Sequence, residues 1–152
     1  MKLFSRPPLL THEELTTIAD AIGEAERTTS GEIRVSIRKH RGWSERKLSL
    51  HNFALKNFYE LGMDKTAEKS GVLLFFSLKE RAFQIIADEG IHKRVSDGYW
   101  DELAQALTTH FKEKRFCDGI CELVKEVGAK LSQEFPRGAA DMNELPNDVS
   151  IR

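Results

Sequence analysis

The run at residues 71–91, GVLLFFSLKERAFQIIADEGI, constrains the fold more than any other part of the chain. VLLFFSL shows no polar alternation. A strand with one face in water alternates, so this one is expected to be buried on both faces. The polar turn at 79–81 is tight, so RAFQIIA returns as its antiparallel hairpin partner. The hairpin leaves the core through Asp88, Glu89 and Gly90, which carries two carboxylates to one end of a sheet.

The flanking segments read as helices and one further strand. Thr11 and Glu14 form a T-x-x-E capping box, which satisfies orphan amides at a helix start. Leu15, Ile18, Ala19, Ile22 and Ala25 then recur at helical spacing until the TTSG at 28–31. In GEIRVSIRKH, Ile33, Val35 and Ile37 alternate with Glu32, Arg34, Ser36 and Arg38. That pattern predicts a half-buried strand nearer the sheet edge. Arg34, Arg38, Lys39 and Arg41 are read as its solvated face and exit, where charge discourages edge pairing.

Ser44 is expected to cap a second helix running to about Leu61 and stopped by Gly62. Leu48, Phe53, Ala54, Leu55, Phe58, Tyr59 and Leu61 supply its apolar surface. A connector at 91–98 leads to a third helix capped by Ser96 or Asp97, with Trp100, Leu103, Ala104, Leu107 and Phe111 on one stripe. A fourth helix from about Cys117 carries Ile120, Val124, Val127 and Leu131 and ends before Pro136.

A strand, a helix and a strand across 31–78 imply a right-handed parallel crossover. The predicted fold is therefore α/β, a three-layer α/β/α sandwich around a small mixed sheet. The domain is placed at 11–136, with a lead-in at 1–10 and a polar tail at 137–152. Within that tail ELP is read as a short extended docking arm.

Twenty-three basic and 24 acidic residues leave a formal charge of −1, so no overall field draws the chain to nucleic acid or membrane. The basic N-terminus lacks the apolar run of roughly 7–15 residues of a signal peptide. No window reaches the roughly 20 apolar residues of a membrane span. The expectation is a cytoplasmic protein. Cys117 and Cys121 stand one helical turn apart, where a disulfide would close almost no loop. They are read as small buried or half-buried residues.

The topology also locates the chemistry. Two parallel strand starts and the end of the antiparallel third strand share one end of the sheet, so the loops at 28–32, 62–71 and 87–98 converge. They carry Glu32, Asp64, Glu68, Asp88, Glu89 and Asp97, with Asp101 one turn into the following helix. Such a group suits a hard cation that takes about six to eight oxygens; flexible loops favour Ca²⁺ over the stricter octahedron of Mg²⁺. No phosphate loop, dinucleotide fingerprint, G-x-S-x-G elbow, H-E-x-x-H or EF-hand pattern occurs. His92 is given a surface or capping role. Trp43 and Trp100 are read as packing residues.

GEIRVSI, then F-x-x-L-G-M-x-x-T at 58–66, the run at 71–91, Trp100, F-x-D-G-I at 116–120, FP at 135–136 and NELP at 143–146 together resemble the TPM-domain family. The resemblance spans about residues 11–147 and is closest to its short, signal-free bacterial branch. It implies an α/β/α sandwich and a divalent cation, usually calcium, at acidic loops beside the sheet. Asp64 and Asp88 match the family's acidic loop positions. Glu89, Asp97 and Asp101 join the expected metal set from loop geometry. Ala87 stands where the family often has glycine, which removes backbone freedom and no ligand.

The expected function is a Ca²⁺-binding (second choice Mg²⁺) module with a protein partner not identified, no nucleic-acid partner and no catalytic residue. One alternative is the acid phosphatase activity assigned to some plant members, in which a metal would activate water. Another is a metal-free structural adaptor that uses the NELP tail or the face at 34–41.

Overall fold

The computed structural model of the protein describes residues 10–113, 115–138 and 145–152. Strands β1 (Glu32–Arg38), β2 (Gly71–Ser77), β3 (Ala82–Ala87) and β4 (Ser150–Ile151) form one sheet in the order β3-β2-β1-β4. β1 runs parallel to β2, with Val35 opposite Leu74. β3 returns antiparallel, with Leu74 opposite Ile85. β4 lies parallel to β1 on its other side.

β2 is buried on both faces, as its unbroken apolar run predicts. Val72, Leu74 and Phe76 face one core, Leu73 and Phe75 the other, and none is more than 1% exposed. The larger core holds α1 (His12–Ala25), α4 (Asp97–Lys112) and α5 (Phe116–Glu134) against one face of the sheet. The smaller core places α2 (Leu50–Glu60) on the other, through Phe53, Ala54, Phe58 and Met63. This is the predicted three-layer sandwich.

α1 begins with the expected capping box: the Glu14 amide donates to Thr11 Oγ1 at 3.0 Å, and the Thr11 amide to Glu14 Oε1 at 3.1 Å. α1 and α5 pack closely because Gly128 has no side chain; a Cβ there would stand 2.6 Å from Ala25 Cβ. Rings from three elements fill one end of the larger core. Phe76 meets Phe116 at 5.5 Å, and Phe116 meets Phe111 at 4.8 Å.

Several sequence expectations are corrected. β1 is not left wholly at the sheet edge: β4 pairs with its Ser36 and Ile37, and the Lys39 amide donates to the Arg152 carbonyl at 2.7 Å. Two residues carry too little pattern to read as a strand. The polar face of β1 is not solvated either. Arg38 is 6% exposed and forms a forked pair with Glu45, at 2.7 and 3.1 Å. Arg41 makes a similar fork to Glu80. Both guanidinium groups stack on the Phe53 ring, at 4.9 and 4.7 Å.

This network also moves the start of α2. Glu45 is drawn onto Arg38 and accepts the Gly42 amide at 2.7 Å. The chain therefore closes a 3₁₀ turn at Trp43–Glu45 before the helix begins. Ser49, not Ser44, is the cap, its Oγ accepting the Asn52 amide at 3.0 Å. Trp43, expected to pack, is 82% exposed on that turn, and Tyr59 is 56% exposed on α2.

The connector after β3 contains a short helix, α3 (Glu89–His92). Residues 1–9 of the lead-in, and Asn143 and Glu144 of NELP, lie outside the described residues. Leu145 of that motif packs against the smaller core and Val149 against the larger.

Candidate functional site

The three loops meet where the topology places them, and backbone hydrogen bonds tie them together. The Glu32 amide donates to the Ser70 carbonyl at 3.1 Å, and the Asp88 amide to the Gly71 carbonyl at 3.0 Å. The Gly90 amide reaches the Lys69 carbonyl at 3.0 Å, and Ser30 Oγ donates to Glu68 Oε1 at 3.1 Å. Gly90 makes this approach possible. A Cβ there would fall 2.1 Å from the Glu68 carbonyl oxygen and 2.6 Å from that of Lys69. Any side chain at 90 pushes the β2 entry away from the β3 exit.

The candidate ligands are not equivalent. Asp88 is half-buried and caps α3: its Oδ1 accepts the Glu89 amide at 2.8 Å. Its other oxygen, Oδ2, is buried, and no donor among the described residues reaches it. Asp64 is half-buried in the turn after α2, where its carbonyl accepts Lys69 Nζ at 2.8 Å. Lys69 holds a left-handed backbone, φ 54°, in the next turn, where its amide donates to the Thr66 carbonyl at 3.3 Å.

Glu89, Asp97 and Asp101 are exposed. The Asp97 side chain is 93% accessible and stands 3.9 Å from His92 Nδ1, itself on the surface. Among the described residues no three His, Cys, Asp or Glu side chains gather closely enough to hold a metal ion. The geometry therefore centres on Asp88, with Asp64 on a neighbouring loop.

A second acidic feature at this end was not read from the sequence. Glu26, on a 3₁₀ turn at Glu26–Thr28, is 4% exposed, and Glu32, the first residue of β1, is 2% exposed. The two carboxyls share a hydrogen bond, which requires a proton between them. Burial, then the bond and charge of Glu32, push Glu26 up to about 9, against the opposing bond from the Ile33 amide and the charge of Arg137. The Ile33 amide donates to Glu26 Oε2 at 2.7 Å. Glu32 stood among the convergent carboxylates, but Glu26 was hidden at the end of a helix pattern. The tight turn between them, which lets the two side chains meet, was the available signal.

Other reactive groups are subdued. Cys117 and Cys121 are free and half-buried on α5. Burial raises both thiols, that of Cys121 to about 12, and thiols, unlike thiolates, are poor nucleophiles. Trp100 packs on the larger core, edge-on to Tyr99 at 5.1 Å.

Comparison with known proteins agrees with this architecture. Residues 7–130 match the family model described as TPM domain. The NMR structure of BA42 protein from the psychrophilic bacterium Bizionia argentinensis is 36% identical, covers 95% of this chain and 97% of its own, and superposes with a TM-score of 0.85. The N-terminal domain of a P. gingivalis protein is 22% identical, with coverage of 85% and 80% and a TM-score of 0.66. The N-terminal domain of cg2496 protein from Corynebacterium glutamicum is 13% identical, with coverage of 88% and 80% and a TM-score of 0.61. These last two share the fold. No curated protein matches. By the family match and the 36% identity over nearly its whole length, the chain belongs to the TPM domain family.

Proposed function

We propose that this TPM domain binds a divalent cation, Ca²⁺ before Mg²⁺, at the acidic end of its sheet, and acts as a cytoplasmic binding or regulatory module, not a phosphatase. The observation that carries the reading is Asp88 Oδ2, buried without a donor among the described residues at the point where the three loops meet. Leaving such an oxygen unsatisfied costs about 1–3 kcal/mol or more for a charged group. A cation supplies the missing partner. Asp64 and the exposed Glu89, with Asp97 and Asp101 at the start of α4, supply further charge, and water and carbonyls complete the shell.

A phosphatase needs an activated nucleophile, or a metal-bound water, with donors for the phosphoryl oxygens. Here the thiols are raised and half-buried. Lys69 and Arg94 are already engaged on the carbonyls of Asp64 and Glu134.

Isothermal calorimetry with Ca²⁺ tests the reading. Asp88→Ala weakens binding by about tenfold or more, a loss seen even for groups outside a metal's direct ligands, and Asp64→Ala weakens it less. Unchanged affinity in both variants overturns the site. Metal-dependent release of phosphate from an aryl phosphate, lost in Asp88→Ala, replaces the binding module with the phosphatase.

A further inference from the structure

At the opposite end of the sheet the chain leaves β1 through Lys39, turns at Trp43–Glu45 and meets the β2–β3 turn. The Lys79 amide donates to the Lys39 carbonyl at 3.2 Å, so the two loops form one surface. The acidic residues on these loops are consumed within it: Glu45 pairs with Arg38 and Lys56, and Glu80 with Arg41. Lys39, Arg46, Lys47, Lys79 and Arg81 are left over, and none of them enters an ion pair among the described residues. All but the half-buried Arg81 are exposed. Trp43 projects from their midst, 82% exposed, with the Arg46 guanidinium over its ring at 4.5 Å.

The turn that carries Trp43 is fixed from below. Arg41 Nη1 donates to the carbonyls of Glu45 and Leu48, and the Gly42 amide to Glu45 Oε1. An indole held out into water costs hydrophobic free energy that packing could have recovered. Its flanking cations serve no ion pair among the described residues.

We propose that this basic, tryptophan-tipped end docks on an anionic lipid surface. Clustered lysines and arginines are drawn to acidic headgroups within a Debye length. Tryptophan sits at the headgroup level because its ring is apolar and its N–H is wet. The domain then lies peripherally, in keeping with the absence of any membrane-crossing helix among the described residues. Its acidic end points away from the lipid. The acids Glu13 and Glu14 on the first turn of α1 belong to the helical layer on the other face of the sheet. Single-stranded nucleic acid is the less suitable occupant. It is held by successive aromatic platforms along a groove, and here one ring stands on a turn.

The test is co-sedimentation of the full chain with vesicles of phosphatidylcholine alone, or with about 30% phosphatidylserine, at low salt and at about 0.5 M salt. The account expects binding to the anionic vesicles only, lost at high salt. Each cation contributes roughly fivefold, so losing three lysines in Lys39→Gln/Lys47→Gln/Lys79→Gln lowers the partition coefficient on the order of 100-fold. Unchanged circular dichroism confirms that the triple variant is folded. In a Trp100→Phe background, Trp43 emission shifts to the blue on binding. No association with anionic vesicles at low salt overturns the proposal. So do equal binding to neutral vesicles, binding that survives the triple variant, or capture of a single-stranded oligonucleotide by the same cations in place of vesicles.

Discussion

At the N-terminal end of β1 the buried carboxyl of Glu26 meets another carboxyl, Glu32; at the C-terminal end the buried carboxyl of Glu45 meets Arg38. The residue type is the same and the burial is similar, 4% against 3% exposed. Yet Glu26 is pushed up to about 9, and Glu45 is held down to about 2 by its bond with Arg38, despite the opposing effect of burial. The partner decides which form of a buried acid survives. The contrast extends to the loops around each pair. The first end has carboxylates to spare, among them an Asp88 oxygen buried without a donor among the described residues, whereas the loops of the second hold Glu45 and Glu80 in ion pairs and leave cations. A formal charge of −1 conceals this segregation.

The largest expected effect comes from removing the partner at the second end. Arg38→Ala leaves Glu45 buried with the Gly42 amide and, as its charged partner, Lys56 at 2.9 Å. Breaking a buried pair in this way costs about 3–5 kcal/mol, measured by urea unfolding. A loss below about 1 kcal/mol, in the range of exposed pairs, would erase the contrast between the two ends. Leu74→Ala, in the core that both ends share, costs about 2–5 kcal/mol. A loss typical of surface sites, within about 0.5 kcal/mol, would contradict a β2 buried on both faces.

The next effect is a pH dependence with two limbs of opposite origin. Glu26 holds in the folded state a proton that the unfolded chain releases, because its folded value of about 9 exceeds the ordinary 4.5. Its linkage therefore lowers stability as pH rises from about 4.5 to about 9. Glu45, held down to about 2 from 4.5, stabilises the fold above its unfolded value. That contribution is lost as pH falls through the range from 4.5 to 2. Glu26→Gln keeps an acceptor for the Ile33 amide and gives Glu32 a donor. It is expected to flatten the alkaline limb and leave the acid limb in place, as read by thermal melts across pH. An unchanged alkaline limb would show that Glu26 does not hold the proton.

Much of this was legible in the sequence, for identifiable reasons. β2 announced burial on both faces because Leu73, Leu74, Phe75 and Phe76 leave no polar side to wet. Thr11 and Glu14 marked their helix start through a mechanism that needs only those two side chains. The convergence of three loops at one sheet end followed from strand directions alone.

The failures share a cause. Alternation along β1 shows that Arg34, Ser36 and Arg38 are polar, but not whether water or another polar surface covers them. Here α2 brings Asn57 onto Ser36, at 2.5 Å, and Lys56 onto Glu45. The two residues of β4 and the four of α3 are held by tertiary contacts that leave little local pattern. At the candidate site, sequence placed Asp64, Asp88, Glu89, Asp97 and Asp101 in one region. It could not tell that, of these five, Asp88 alone keeps a buried oxygen without a donor among the described residues, because that depends on how closely Gly90 brings two loops together.

If the reading is right, the acidic end binds a cation and the basic end does not. A Ca²⁺ titration followed by amide NMR of the full chain tests it directly. Saturable shifts are expected at residues 62–71 and 87–92, with the amides at 39–48 and 78–81 unmoved. In Asp88→Ala the same shifts need about tenfold more Ca²⁺. Saturating Ca²⁺ that leaves 62–71 and 87–92 unmoved, or that shifts both ends alike, would contradict it.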